Sequence, residues 1–397
     1  MDSEAIDGGD GRPPGCAGRV AVSIYRYFPH GGLQREMMSA VRALRRRNYE
    51  VTIFCMSWES SEIPSKVAVR RLRVSGASNS GKARKFDLAL TRVLKKRNFD
   101  FHLSFNKVAS ADCYFVDDLP FARSAEQIPL WRRIFSQRWR IYSKMERQVF
   151  AGASDPSIIC LSKMQQQAYQ KLYSTPADRF VILPPGVDDR FCDALDLRNV
   201  RRSAIRQELG LKEDERAIFF IGSAFYTKGA DRAIAALAAV PSDSEVVAKL
   251  FIVGHNDNEK LRHFAKRCGV DEQVVFLGAR NDVPELLAGA DLLIHPARSE
   301  AAGSVLLEAI CSGTPVLCSG NCGYAAFVEE SGGVVLPMPF RQKHLNRALM
   351  LVLTVPGNLD EMQQAAVIQK TGDEFYRRGE VIADIIVEKM KRASDSE

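Results

Sequence analysis

The stretch Leu292-Leu-Ile-His295-Pro-Ala-Arg-Ser-Glu300-Ala-Ala-Gly303-Ser-Val-Leu-Leu-Glu308 holds the unit from which the fold is read. Leu292–His295 is a short, mostly apolar run bounded by Pro296, and it reads as a buried strand. Beyond the turn at Ala302-Gly303 the apolar residues recur at helical spacing, so a helix is expected over Val305–Ser312. A strand that enters a helix through a glycine turn is half of a βαβ unit. Repeated units of this kind build a parallel sheet.

Outward from this stretch the alternation continues. Pro315–Leu317 is the next strand. Upstream lie strands at Ala217–Ile221, Lys249–Val253 and Val274–Leu277, with helices at Asp231–Ala239, Glu259–Cys268 and Val283–Ala290. An earlier series holds strand Arg19–Ile24, helix Leu33–Arg47, and strands Val51–Cys55, Val67–Leu72, Phe101–Phe105 and Ile158–Leu161. Val181–Gly186 ends in Pro184-Pro185-Gly186, which continues neither a helix nor a central strand, so the hinge is expected there. With right-handed crossovers, each series closes into one Rossmann-like α/β domain, and a cleft separates the two. The expected boundaries are a solvated tail over 1–18, a first domain over 19–183 and a second over 187–375. A C-terminal helix and tail over 376–397 is expected to pack back on the first domain.

Composition agrees with two ordinary globular domains. The chain has 397 residues, 46% hydrophobic and 26% charged, with no apolar run of the roughly 18 residues that would span a bilayer. Met1 to Gly18 carry four acids and Pro13-Pro14 but no apolar segment, unlike a signal peptide. The nine cysteines are scattered, and Cys318 and Cys322 have no further ligand set nearby, so reduced thiols are expected and no metal site is. Charge is uneven. Residues 1–200 hold 32 Lys and Arg against 21 Asp and Glu, whereas residues 201–397 hold 23 against 27. The basic half should favour an anionic partner, which leaves nucleic acid, an anionic membrane and a phosphorylated substrate open.

Three loops could carry chemistry. Gly31-Gly32 lies between the first strand and its helix, where backbone N–H groups could meet an anion, although a tight turn needs small residues equally. In the second series, Gly222-Ser-Ala-Phe-Tyr-Thr-Lys228-Gly229 puts a lysine at the carboxyl end of a strand, the cleft side of an open sheet. A lone loop lysine can also be merely solvated. In Glu300–Glu308, the amides of Ala302, Gly303, Ser304 and Val305 at a helix start suit a diphosphate. Two acids beside such a site make sense if Glu300 faces sugar hydroxyls and Glu308 a ribose. The alternatives are two solvent-facing acids, or a glycosidase carboxylate pair, which needs no diphosphate site. No Asp-x-Asp motif signals a metal-held diphosphate.

The Glu300-x7-Glu308 spacing resembles the signature of family-four retaining glycosyltransferases of the GT-B fold. The resemblance narrows to the lipopolysaccharide core glucosyltransferase I group. It rests on Tyr27-Phe-Pro-His-Gly-Gly-Leu-Gln-Arg35, Phe105-Asn-Lys107, Ile182-Leu-Pro-Pro-Gly186, Gly278-Ala-Arg-Asn-Asp-Val283 and His295-Pro-Ala-Arg-Ser-Glu-Ala-Ala-Gly303, and it runs from about Arg19 to about Asp373. It implies transfer of glucose from UDP-glucose to an inner-core heptose of lipopolysaccharide, with retention and without a metal or other cofactor. It also implies work at the cytoplasmic face of a bacterial inner membrane. Carried over by position, Glu300 contacts the donor sugar, Glu308 the ribose, and Lys228 the leaving diphosphate. Gly31, Gly32 and Gly222 line the nucleotide sugar, Arg280 the base, and Asp118 the acceptor or reacting sugar. The chain departs from the pattern at Thr227, where relatives carry Arg, and at Glu36, where they carry Asp. Other readings are a different hexose donor, an epimerase on the same fold, or a membrane-surface binding protein with an inactive transferase fold.

The basic excess concentrates in Phe121–Phe150, with seven cations against two acids. Trp131, Phe135, Trp139, Tyr142, Met145 and Val149 recur at spacings of three and four, which predicts one helix with one apolar face. That face either packs on the core or, with Arg132, Arg133, Arg138 and Arg140 around it, lies on an anionic bilayer. The resemblance favours the membrane, because the matching segment of the group is its membrane-contacting one. No zinc spacing, RNP-like run or heptad pattern supports nucleic acid.

Overall fold

The computed structural model describes residues 15–29, 31–60, 63–96, 98–122, 129–152, 156–187, 189–191, 193–241, 244, 246–255, 258–368 and 377–394. The first sheet holds seven strands: β1 (Gly18–Ser23), β2 (Tyr49–Cys55), β3 (Val67–Arg71), β4 (Phe101–Ser104), β5 (Cys113–Phe115), β6 (Ser157–Cys160) and β7 (Phe180–Ile182). Their order is β3-β2-β1-β4-β5-β6-β7. The second sheet holds six: β8 (Arg216–Ile221), β9 (Ala248–Val253), β10 (Val274–Gly278), β11 (Leu292–His295), β12 (Val316–Ser319) and β13 (Val334–Leu336). Their order is β10-β9-β8-β11-β12-β13. Neighbouring strands in both sheets are parallel. Each sheet steps outward from its first strand and then reverses, the doubly wound order. The reversal at β1/β4 and at β8/β11 opens a crevice at the carboxyl ends of the strands.

Sequence periodicity located β11 to the residue and most other strands within one or two. It missed β5 and β13, whose three residues each are too few to show a period, and it gave no assignment to the helices Asn79–Leu94, Lys163–Tyr173, Ala194–Glu208, Ala325–Glu330, Gln342–Thr354 and Asn358–Ile368. The strand expected before the prolines ends at Ile182, so Leu183-Pro-Pro-Gly186 is linker.

One apolar core runs from the first sheet (Val20, Val22, Leu103), through the linker (Leu183, Val187, Phe191), into the second domain (Leu286, Leu293, Leu306). The helix Arg378–Ser394 closes this core from outside, burying Ile382, Ala383 and Ile386 beside the helix Gly32–Arg46. Arg46 and Arg47 of that helix pair with Glu380, and Arg47 also with Asp384. The chain therefore leaves the second domain and ends on the first.

Candidate active site

The second domain brings three polar side chains to one oxygen. After β8, Gly222 turns the chain into the single turn Phe225–Lys228, whose lysine stem packs along the space a Gly222 side chain would take. Lys228 Nζ donates to Glu300 Oε2 at 2.6 Å, and His295 Nε2, at the end of β11, lies 2.9 Å from the same oxygen. Glu300 and His295 are both buried. Burial alone would raise the Glu300 carboxyl, but the His295 hydrogen bond and the Lys228 charge more than reverse it and hold it at about 2. With the proton on Nε2, the buried Nδ1 of His295 is an acceptor, and it has no partner among the described residues. In sequence His295 is a polar residue that ends an apolar strand and opens the segment His295–Gly303; its contact with Glu300 shows only in the fold.

Glu300 leads directly into the helix Ser304–Cys311. Gly303 precedes it at φ +94°, a left-handed conformation that favours glycine, and turns Ser304 and Val305 to open the helix with their amides at its free end. Ala302 packs beneath, its carbonyl accepting from the Tyr324 N–H at 2.9 Å. Glu308, one turn on, is buried and accepts from Arg35 Nη2 at 3.1 Å. Arg35 stands on the first turn of the helix Gly32–Arg46, so this contact joins the two domains, while the neighbours of Gly31 are Gln34 and Phe28 of its own domain. Ser162 Oγ makes another crossing, donating to the Ala301 carbonyl at 2.7 Å. Arg280 does not join the cluster. Its guanidinium pairs with Asp282, two residues along.

The first domain contributes a tandem of acids beyond β5. Asp118 is half exposed and turned to its own domain, taking Lys107 Nζ at 2.9 Å and the Tyr169 hydroxyl at 3.0 Å. Lys107 also reaches Glu146, which is fully buried and accepts from the Phe121 and Ala122 N–H groups and the Tyr173 hydroxyl. Burial would lower the Lys107 ammonium, yet Asp118 and the other anionic neighbours hold it well above the usual lysine range. Asp117 is open to the cleft, but the protein around it displaces bulk solvent. That desolvation, and then the Asp118 charge, push its carboxyl up to about 7, against the opposing pull of Lys107 and Lys228. Gln165 fixes the tandem, donating to the carbonyls of Val116 at 3.1 Å and Asp118 at 2.8 Å. Asp118 was the acid singled out from sequence; the carboxyl that feels Lys228 is its neighbour.

The family descriptions "Glycosyltransferase Family 4" and "Glycosyl transferases group 1" match residues 30–191 and 201–369, one per domain. The "Lipopolysaccharide glucosyltransferase WaaG" of Escherichia coli is 36% identical over 371 residues, 92% of this chain and 98% of the relative. The chain is a glycosyltransferase of the WaaG family. The crystal structure of a WaaG superposes with a TM-score of 0.86 over 92% of this chain and 99% of the other, at 36% identity. A sucrose-phosphate synthase from Thermosynechococcus elongatus, only 17% identical, shares the fold at a TM-score of 0.72 over 96% of this chain and 100% of its own. The architecture is thus GT-B, with the loops Gly222–Gly229 and Glu300–Glu308 in the second domain.

In this glycosyltransferase the basic amphipathic segment is two helices, Leu130–Phe135 and Gln137–Phe150, and not the single one expected. Ser136 adopts an extended conformation and caps the second helix by accepting from the Trp139 N–H at 3.2 Å. The break divides the apolar stripe. Met145 and Val149 are buried in the core, whereas Trp131 and Phe135 are 59% and 80% exposed. Trp139 and Tyr142 are half-buried against Phe121, Arg133 is half-buried, and Arg138 and Arg140 are exposed. The side chain of Arg132 lies outside the described residues. The core reading therefore holds for Met145 and Val149, while Trp131 and Phe135 stay exposed.

Proposed function

We propose that this glycosyltransferase moves glucose from UDP-glucose to an inner-core heptose of lipopolysaccharide, with retention at the anomeric carbon, at the cytoplasmic face of a bacterial inner membrane. The observation that carries the reading is the carboxylate of Glu300, fixed between Lys228 and His295 at the start of an amide-bearing helix. A charged acid held so beside an anion site is suited to accept hydroxyl hydrogen bonds from a sugar whose phosphate lies on the amides and Lys228. The relative of known name, a lipopolysaccharide glucosyltransferase, supports the acceptor class.

In the reaction, the bond from the anomeric carbon to the diphosphate oxygen breaks and UDP keeps the electron pair. The acceptor hydroxyl oxygen bonds to the same face of that carbon, and its proton passes to the leaving phosphate oxygen. Lys228 and the amides of Ser304 and Val305 carry the charge that grows on the diphosphate, with no metal ion needed. Trp131, Phe135, Arg138 and Arg140 present the apolar and cationic mixture that an anionic bilayer takes up.

The test is a panel of UDP-hexoses offered with heptose-terminated lipopolysaccharide, read by mass spectrometry, with the anomeric configuration of the product taken from NMR. A hexose added from UDP-glucose with an α linkage is the expected product. Conversion of UDP-glucose to another UDP-hexose without acceptor would instead establish an epimerase, and transfer from a different donor would correct the sugar.

A further inference from the structure

We infer that Arg35 of the first domain is a positioning residue for the nucleotide, acting across the cleft through Glu308. This rests on the reading that Glu308 meets the ribose. The residues on either side of Arg35 are pinned, which leaves it one direction. Gln34 Nε2 donates to the Arg26 carbonyl at 3.0 Å, and any side chain at Gly31 would collide with the Gln34 amide and the Phe28 ring. Glu36 is held by Arg378 from the C-terminal helix, and Arg378 also donates to the Tyr324 hydroxyl of the second domain. Helical geometry points Arg35 between these two anchors, and its Nη2 meets Glu308 Oε1 at 3.1 Å.

The partner it takes is informative. Glu308 has a side chain 5% exposed among Leu306, Leu307, Ala309 and Ile310. A carboxylate in such surroundings needs a charged donor to hold one orientation. Its own helix supplies none, and the guanidinium comes from 273 residues away. Glu308 Oε1 is therefore held from the domain opposite the one that carries its helix. Arg35 touches neither the sugar nor the reacting atoms in this scheme; it acts on Glu308.

The experiment measures UDP affinity by calorimetry for Arg35→Gln, Glu308→Gln and the double variant, with donor KM and kcat alongside. Arg35→Gln should weaken UDP binding about tenfold and raise donor KM more than it lowers kcat, and Arg35→Lys, which keeps the charge, should recover part of the loss. The double variant should be no weaker than Glu308→Gln alone. Losses that add in the double variant would overturn the inference, because Arg35 would then act on the nucleotide independently. Unchanged UDP affinity in Arg35→Gln beside a loss in Glu308→Gln would also overturn it, while leaving the ribose reading intact. Unchanged affinity in Glu308→Gln would remove the ribose reading itself. Should Arg35→Gln fail to fold, the Arg35→Lys affinity decides: a wild-type value overturns the inference and an intermediate one supports it.

Discussion

At the scale of single residues, the site is a set of charges whose neighbours decide what each can do. Lys228 shares Glu300 Oε2 with His295, so it sits within reach of the carboxylate and of any anion on the Ser304–Cys311 helix start. Removing a group that stabilises leaving charge costs about 10²–10³ in turnover. Lys228→Ala should therefore lower kcat by that order and also lower the thermal midpoint, because buried Glu300 loses one of its two partners; near-normal turnover would take Lys228 out of the mechanism. Asp117 makes a second prediction, this one about pH. Its carboxyl is raised to about 7 by desolvation and by Asp118. A raised acid leaves the folded state at full stability below the ordinary aspartate range and loses stability as pH climbs through 7. Asp117→Asn should thus melt higher than the wild type at pH 8 and at the same temperature at pH 4. An equal difference at both pH values would show that Asp117 does not titrate as its surroundings require.

At the scale of elements, the break at Ser136 separates the exposed end of the stripe from its buried end. Exposed apolar side chains add little to folding, and their removal usually changes stability by about 0.5 kcal/mol or less. Buried ones are different: Met→Ala in a core costs about 2–5 kcal/mol. The double change Trp131→Ala/Phe135→Ala should therefore leave urea denaturation almost unaltered while weakening sedimentation with anionic vesicles several-fold. Met145→Ala should do the reverse, lowering the urea midpoint while leaving vesicle binding of the folded fraction in place. Equal vesicle binding by wild type and the double variant would remove the exposed end from the membrane contact. Spacing of three and four predicted helix and stripe, but it carried no signal for a capped break. The Ser136 cap is a single hydroxyl whose role depends on its own backbone angle.

At the scale of the whole molecule, the two domains and the terminal helix meet around the donor loop. Arg378 is buried, bonded on one side to Glu36 of the first domain and on the other to the Tyr324 hydroxyl of the second. Taking one member from a buried ion pair leaves the other unpaired and typically costs about 3–5 kcal/mol. Arg378→Ala should lose about that much in urea denaturation, and Glu36→Gln added to it should restore part. Additive losses would mean that Glu36 does not depend on Arg378. Both parallel sheets and the glycine loops at Gly222–Gly229 and Glu300–Glu308 were legible in the linear chain, because strand length, helical spacing and glycine turns are properties of residues a few positions apart. Thr227 and Glu36 were equally visible as departures. What stayed hidden was every partner reached over long separations: Arg35 on Glu308, Ser162 on Ala301 and Arg378 on Tyr324. The sequence by itself determined most of the elements and the order in which they alternate, since local spacing dictates both. The tertiary structure alone decided which charges are paired, buried and brought together across the cleft, because pairing energy depends on distance and desolvation, and neither is written in the order of residues.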